Sequence, residues 1–314
     1  MSPAPETERM PLSLLPERFW RCRAWRCSLV SPFLDGLQAQ KKLCWLCGYC
    51  LAMAATSVTA GCQAEALQLP QLELGVRLAA VRPLMTAVAE DPAWATATST
   101  GELTLSPGKS AKRTTAPSTR VFLLWSPDFL YVRFVCRDDD LYSPHEATHD
   151  AWHHEGDVVE VFVDPVGDSR QWYEIQVSPA GGVMDKVAIV TAEPKSRPDG
   201  VLDDDSFRQM WDFPEYDMAG LKTATGQTPG GWIADIAIPA AALCRRMEAK
   251  SLQPMSMRAN FLRYERRQQP NGGATLIAMN WAPVLWGHPH CSPQRMGVLR
   301  LVQASTASEM ELRK

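Results

Sequence analysis

Two neighbouring apolar segments carry most of the groups in this sequence that could handle a polar ligand. Residues 157–163 read DVVEVFV, with Glu160 set among valines and a phenylalanine. Residues 172–177 read WYEIQV, with Trp172, Glu174 and Gln176 at every second position. If both are β-strands, side chains alternate between faces. Val159, Val161 and Val163 then share one side with Tyr173, Ile175 and Val177, and Glu160 shares the other with Trp172, Glu174 and Gln176. Residues 164–168, DPVGD, have turn chemistry and predict a hairpin between the two. Residues 129–137, FLYVRFVCR, divide in the same way, with Leu130, Val132, Phe134 and Cys136 apart from Tyr131, Arg133 and Arg137. The expected product is one sheet face bearing carboxylates, an amide, a guanidinium and aromatic rings. Such a face suits a saccharide, because planar bidentate groups match hydroxyls and aromatic rings match the C–H faces of a pyranose.

The same carboxylates admit a second chemistry. Retaining glycosidases hold two carboxyls about 5 Å apart, and Glu160 with Glu174 could meet across neighbouring strands. Asp157 and Glu160 could not, since a separation of three sends them to opposite faces. No Ser-His-Asp signature, P-loop or dinucleotide-binding glycine motif is present. The histidines, at 145, 149, 153, 154, 288 and 290, form two clusters. His149 and His153 could share a transition metal only on a helix, and Ser143-Pro144 just before them gives little sign of one.

These residues need a scaffold, and the composition says which kind. The chain has 314 residues, 46% hydrophobic and 21% charged, which is globular composition. Its 32 basic and 35 acidic residues leave a net charge of −3, without the cationic excess that nucleic-acid binding requires. Short apolar segments at residues 120–125, 129–137, 157–163, 172–177, 182–190, 231–238, 257–264, 276–281 and 298–302 are separated by Pro, Gly, Asp and Ser. No long amphipathic helix and no strand-helix rhythm appears, so the class is all-β, an antiparallel β-sandwich in a single domain. Residues 125–129, WSPDF, predict another hairpin.

The nine cysteines and eleven tryptophans are distributed unevenly. From Leu43 to Cys62 no Asp, Glu, Lys or Arg occurs, and Lys41 and Lys42 stand directly before this stretch. A positive region, an apolar region and small residues are the features of an export signal; the alternative is an uncleaved membrane anchor. Thr59-Ala60-Gly61-Cys62 resembles a bacterial lipobox, which implies lipidation of Cys62 and anchoring at the cell envelope. Cys22, Cys27, Cys44, Cys47 and Cys50 then belong to a leader of residues 1–62. Beyond it remain Cys136, Cys244 and Cys291, so at most one disulfide can form among them. Residues 63–84 read as a linker, 85–304 as the sandwich and 305–314 as a tail.

Along the sandwich the sequence resembles the family 9 carbohydrate-binding modules and the DOMON-like sandwiches around them. The residues that carry the likeness are Asp91-Pro-Ala-Trp94, Arg120-Val-Phe-Leu-Leu-Trp125, Leu130-Tyr-Val, Asp138-Asp-Asp-Leu141, Asp157-Val-Val-Glu-Val-Phe-Val-Asp-Pro165 and Tyr173-Glu-Ile-Gln-Val-Ser-Pro179. Gly231-Trp232, Ala237-Ile-Pro239, Arg258-Ala-Asn-Phe-Leu-Arg263, Asn280-Trp-Ala-Pro283 and Arg295-Met-Gly-Val-Leu299 follow in the family's order. The resemblance implies a jelly-roll-like sandwich that binds a poly- or oligosaccharide, as a monomer, between aromatic platforms. Glu160 matches the strand glutamate that holds sugar hydroxyls, Gln176 stands where members can place an arginine, and Trp281 matches one platform. Trp152, Trp172 and Trp286 are candidates for the second platform, because His154 holds the place of the family's tryptophan. Asn280 and Arg133 are further candidates for hydroxyl contacts. Trp94, Trp125 and Trp232 are expected in the core. Structural calcium is also implied, with Asp138 and Asp140 as oxygen ligands. The superfold leaves a haem reading open, through Met184, Met279 and the histidines. The reading that unites these features is non-catalytic sugar binding at the cell envelope in support of carbohydrate catabolism.

Overall fold

The computed structural model describes residues 71–106, 115–191, 193–195, 206, 208–269, 272–283 and 292–303, all within the unit Gln63–Lys314. The expectations for the leader and Cys62, for Trp286, Cys291, His288 and His290, and for the tail lie outside the described residues.

The described residues form β1 (Glu73–Leu78), β2 (Thr98–Glu102), β3 (Thr104–Leu105), β4 (Thr119–Trp125), β5 (Phe129–Arg137), β6 (Val158–Asp164) and β7 (Gln171–Val177). They continue with β8 (Val183–Val190), β9 (Met210–Phe213), β10 (Lys222–Thr228), β11 (Gly231–Pro239), a one-turn α1 (Ala240–Leu243), β12 (Ser256–Gln268), β13 (Ala274–Asn280) and β14 (Gly297–Val302). The strands pair in the order β10-β11-β5-β4-β1-β14-β12-β6-β7-β8-β9, with β2 on β4 and β13 on β12. This curled path forms two layers. Both predicted hairpins are present, since β4 pairs antiparallel with β5 and β6 with β7.

Alternation places Val121, Leu123, Leu130, Val132 and Phe134 of the first layer in one core with Val159, Val161, Val163, Tyr173, Ile175 and Val177 of the second. The layers meet where the Phe134 and Phe261 rings pack edge to face, 6.3 Å between centroids. Trp94, Trp125 and Trp232 are buried as expected. Cys136 and Cys244 are free thiols, and burial pushes Cys136 up to about 12.

Arginine–carboxylate ion pairs are buried with the apolar side chains. Arg263 Nη2 donates to Asp138 Oδ2 at 2.8 Å and also to Glu265, while its Nη1 reaches Thr119 Oγ1 at 3.0 Å and the Arg137 carbonyl at 2.8 Å. One side chain of β12 thereby ties down β4 and the end of β5. Arg133 and Asp235 form a bidentate pair, at 2.6 and 2.8 Å, on the far face of the first layer.

The structure corrects the linker expected over residues 63–84. β1 lies inside that span and pairs parallel with β14 on one side and with β4 on the other. Leu74, Val76 and Leu78 do alternate with Glu73, Gly75 and Arg77, but the apolar set is only three residues long and only Val76 of the strand is fully buried. The strands β2, β9 and β10 escaped for a related reason. Their sequences TSTGE, MWDF and KTATGQT lack an alternating apolar set, and each is no more than half-buried over most of its length.

Candidate functional site

The outward face of the second layer is set by strand register. Across β13, β12, β6, β7 and β8, one row places Asn280, Leu262, Glu160, Gln176 and Met184 side by side. The next row along β12, β6, β7 and β8 places Asn260, Phe162, Glu174 and Lys186 abreast. Trp172 and Tyr264 lie on the same face, where Val158, Phe162, Trp172, Leu262 and Tyr264 pack into a cluster separate from the main core. Apolar rings therefore surround a polar centre of Glu160, Glu174, Gln176 and Lys186, and every one of these groups is buried.

Charge within this centre is largely balanced. Lys186 Nζ lies 3.0 Å from Glu174 Oε2 and 3.1 Å from Asp212 Oδ2. Burial works to lower the lysine's pKa, but the two carboxylates outweigh it and raise the group above its ordinary range. Gln176 Nε2 donates to Glu174 Oε1 at 2.7 Å. Burial, helped by the negative charges of Glu160 and Glu174, pushes the Tyr264 phenol well above its usual value and keeps it a neutral hydroxyl. Burial lowers His154 against the pull of Glu174, which favours the neutral imidazole.

What the centre leaves over is informative. Gln176 Oε1, Trp172 Nε1 and Asn280 Oδ1 are buried and have no hydrogen-bond partner among the described residues. Buried polar atoms are normally satisfied, so each orphan calls for an explanation. Trp94 and Trp232 also have unpartnered indole nitrogens, but these lie in the first layer's strands and turns, away from this polar centre. On the outward face of the second layer two acceptors and one donor occur together. Gln176 and Asn280 are three strand steps apart in one row, about 14 Å at the usual strand spacing.

The predicted site residues thus divide. Glu160, Gln176, Trp172 and Asn280 are brought to one face, with Trp172 fully buried. Trp152 is 54% exposed in the loop before β6, with its ring edge-on to His154 at 5.6 Å. Arg133 does not join them. It belongs to the first layer, paired with Asp235 and lying over the Trp94 ring at 4.6 Å, because alternation tells which side of a strand a residue takes and not which layer the strand enters. Trp281 turns inward, against Phe261 with 5.6 Å between centroids and so close to Gly297 that a Cβ there would meet the indole at 2.5 Å. As placed it is a core ring, not an open platform.

Calcium at Asp138 and Asp140 does not fit this arrangement. Asp138 accepts from the Asp140 amide through Oδ1 and from Arg263 through Oδ2, and Asp140 Oδ2 accepts from the Gln268 amide. The Arg263 guanidinium already supplies the positive charge there. For haem, Met184 faces outward and Met279 lies in the main core, so the two offer no common pocket.

Sequence reasoning missed Lys186 and Tyr264 as parts of the site, and set Glu174 on the face without choosing it. The available signal was parity: Lys186 interrupts the apolar strand VMDKVAIV on the side of Ala188 and Val190.

Comparison with known proteins agrees with this architecture. A candidate carbohydrate-binding protein from Bacteroides uniformis aligns over 74% of this chain and 100% of its own, with 16% identity and a TM-score of 0.54, which shows a shared fold. A family 9 carbohydrate-binding module from Caldicellulosiruptor kristjanssonii, in complex with cellotriose, aligns over 74% of this chain and 95% of its own at 17% identity and a TM-score of 0.47. The same organism's module in complex with glucose gives 16% identity, 74% and 97% coverage and a TM-score of 0.45. No curated protein sequence matches. The family model described as carbohydrate family 9 binding domain-like matches residues 86–304, nearly the whole sandwich, and the chain belongs to that family.

Proposed function

We propose that the outward face of the second layer binds an oligosaccharide through its hydroxyls and does not cleave it. The observation that carries this reading is the pair of unpartnered groups, Gln176 Oε1 and Trp172 Nε1, on one face beside buried carboxylates. An orphaned buried polar group costs about 1–3 kcal/mol. A hydroxyl can both donate and accept, so the hydroxyls along one oligosaccharide can satisfy both the acceptor and the donor. Glu160 and Glu174 add charge-assisted acceptors, which form the stronger hydrogen bonds. The spread from Gln176 to Asn280 exceeds a single pyranose ring and favours an oligosaccharide. Membership of a carbohydrate-binding family supports the same ligand class. Binding without hydrolysis is supported by the ion pair of Glu174 with Lys186, which engages the carboxylate that a retaining pair would need.

The test is calorimetry of the purified chain against cello- and xylo-oligosaccharides and soluble β-glucans, with reducing-end release assayed in parallel. Saturable binding that Gln176→Ala weakens about tenfold or more, with no new reducing ends, is the expected result. Binding unchanged in Gln176→Ala and Glu160→Gln would overturn the assignment of this face.

The reading extends to the setting of the protein. Export with lipid attachment at Cys62 would hold the sandwich at the cell envelope in the service of carbohydrate catabolism. Mass spectrometry of the membrane-associated protein tests this, through a diacylglycerol-modified cysteine at the mature N-terminus.

A further inference from the structure

Away from the sugar face, three separated parts of the chain converge on a second polar cluster. His149 and Asp150 come from the long β5–β6 connection, Asp185 from β8 and Asp217 from the β9–β10 connection. One ligand atom from each lies within 4.8 Å of all the others. His149 Nδ1 is 3.0 Å from Asp150 Oδ1 and 3.9 Å from Asp217 Oδ1, and His149 Nε2 is 3.8 Å from Asp185 Oδ1.

Asp185 sets this apart from an ordinary acidic surface. It is 2% exposed, and its two oxygens have different surroundings. Oδ2 accepts from the Met218 amide. Oδ1 makes no hydrogen bond among the described residues; His149 Nε2, at 3.8 Å, is too far for one. One carboxylate oxygen of a nearly buried residue thus stands among three other potential ligands. The cation next to it in sequence cannot serve it, because Lys186 points to the opposite face and is held by Glu174 and Asp212. Backbone contacts fix the convergence: the Asp150 amide donates to the Val183 carbonyl at 2.9 Å, and the Met218 amide to Asp185.

We propose that His149, Asp150, Asp185 and Asp217 form a divalent-metal site of the zinc or manganese class. One imidazole with carboxylates is a donor set for such borderline cations, whereas calcium prefers oxygen alone. Metal–ligand bonds of about 2.0–2.2 Å place neighbouring ligands roughly 3–4 Å apart. A single imidazole nitrogen would ligate the ion; one ligand atom from each residue lies within 4.8 Å of the others, and the exposed side chains of His149 and Asp217 can turn to close the difference. The ion would fasten the β5–β6 connection, which also carries Trp152 and His154, to β8.

The experiment uses the full chain without a polyhistidine tag, stripped with chelator and titrated by calorimetry with zinc chloride, manganese chloride and calcium chloride. The expected result is one equivalent of zinc or manganese and a rise in melting temperature on its addition. His149→Gln and Asp217→Asn, both at exposed positions, are expected to weaken uptake at least tenfold while leaving the melting temperature in chelator unchanged. Asp185→Asn gives the same loss if it folds, and the two exposed variants decide the matter if it does not. No uptake, uptake undiminished in His149→Gln and Asp217→Asn, or a preference for calcium indifferent to His149→Gln would each overturn the proposal.

Discussion

Lys186 Nζ lies 3.0 Å from Glu174 Oε2, directly across the β7–β8 ladder, with both side chains almost wholly withdrawn from solvent. A buried pair of this kind is weak evidence of net stability, but removing one partner strands the other. Lys186→Met is therefore expected to destabilise the fold by about 3–5 kcal/mol. The double variant Lys186→Met with Glu174→Leu should recover most of that loss while abolishing sugar binding. Denaturant unfolding of the three proteins checks the first part and calorimetry the second. A double variant no more stable than the single one would show that the pair does more than cancel charge.

The two tryptophans bracketing the question of platforms should behave oppositely. Trp281→Ala empties a site between Phe261 and Gly297, and a large-to-small change at such a position costs about 3–5 kcal/mol. Trp152→Ala, at an exposed ring, should leave stability within about 0.5 kcal/mol. If Trp152 flanks the bound sugar, its removal lowers affinity alone. Melting curves and oligosaccharide titrations on both variants separate the roles.

Arg133→Met breaks the bidentate pair with Asp235 in the first layer. The expected loss of stability is about 3–5 kcal/mol, with oligosaccharide affinity within about twofold of the parent, because the two layers' outward faces are separate. A selective loss of affinity at unchanged stability would instead place Arg133 in the binding site.

Stability should fall as pH rises through the weakly acidic range on account of Asp157. Burial raises its carboxyl from 3.8 to about 7, against the Arg266 and Tyr142 amides that donate to it. The folded form thus holds a proton that the unfolded chain has already released. This contribution is full below about pH 3.8 and is lost by the time pH passes about 7, with a slope of at most about 1.4 kcal/mol per pH unit. Asp157→Asn cannot titrate, so its stability relative to the parent should improve between pH 4 and 7. Parallel slopes for the two proteins would remove Asp157 as the cause.

The site was legible where chemistry and period coincided. DVVEVFV and WYEIQV each have one wholly apolar parity, so the sequence alone assigns Glu160, Trp172 and Gln176 to a common face. The same rule failed at Arg133, whose strand has equally clean alternation but enters the other layer, a choice fixed by long-range pairing with β11 and β4. Trp281 failed because a motif conveys a position and not the direction a ring takes once Gly297 leaves room for it to turn inward. The His149 cluster could not be read at all, since its members are brought together only by the docking of two connections onto β8.

Among the described residues, β1 is the one strand whose both neighbours run parallel to it, and it closes the seam between β4 and β14. The region that matches the family begins at residue 86, after this strand has ended. A domain cut at that boundary would keep the outward face of the second layer and most of the core, yet expose two unpaired strand edges where the layers join. Such edges are templates for association with other chains. The smallest unit of this protein able to remain soluble by itself is therefore longer than its recognisable family domain and must begin before Glu73.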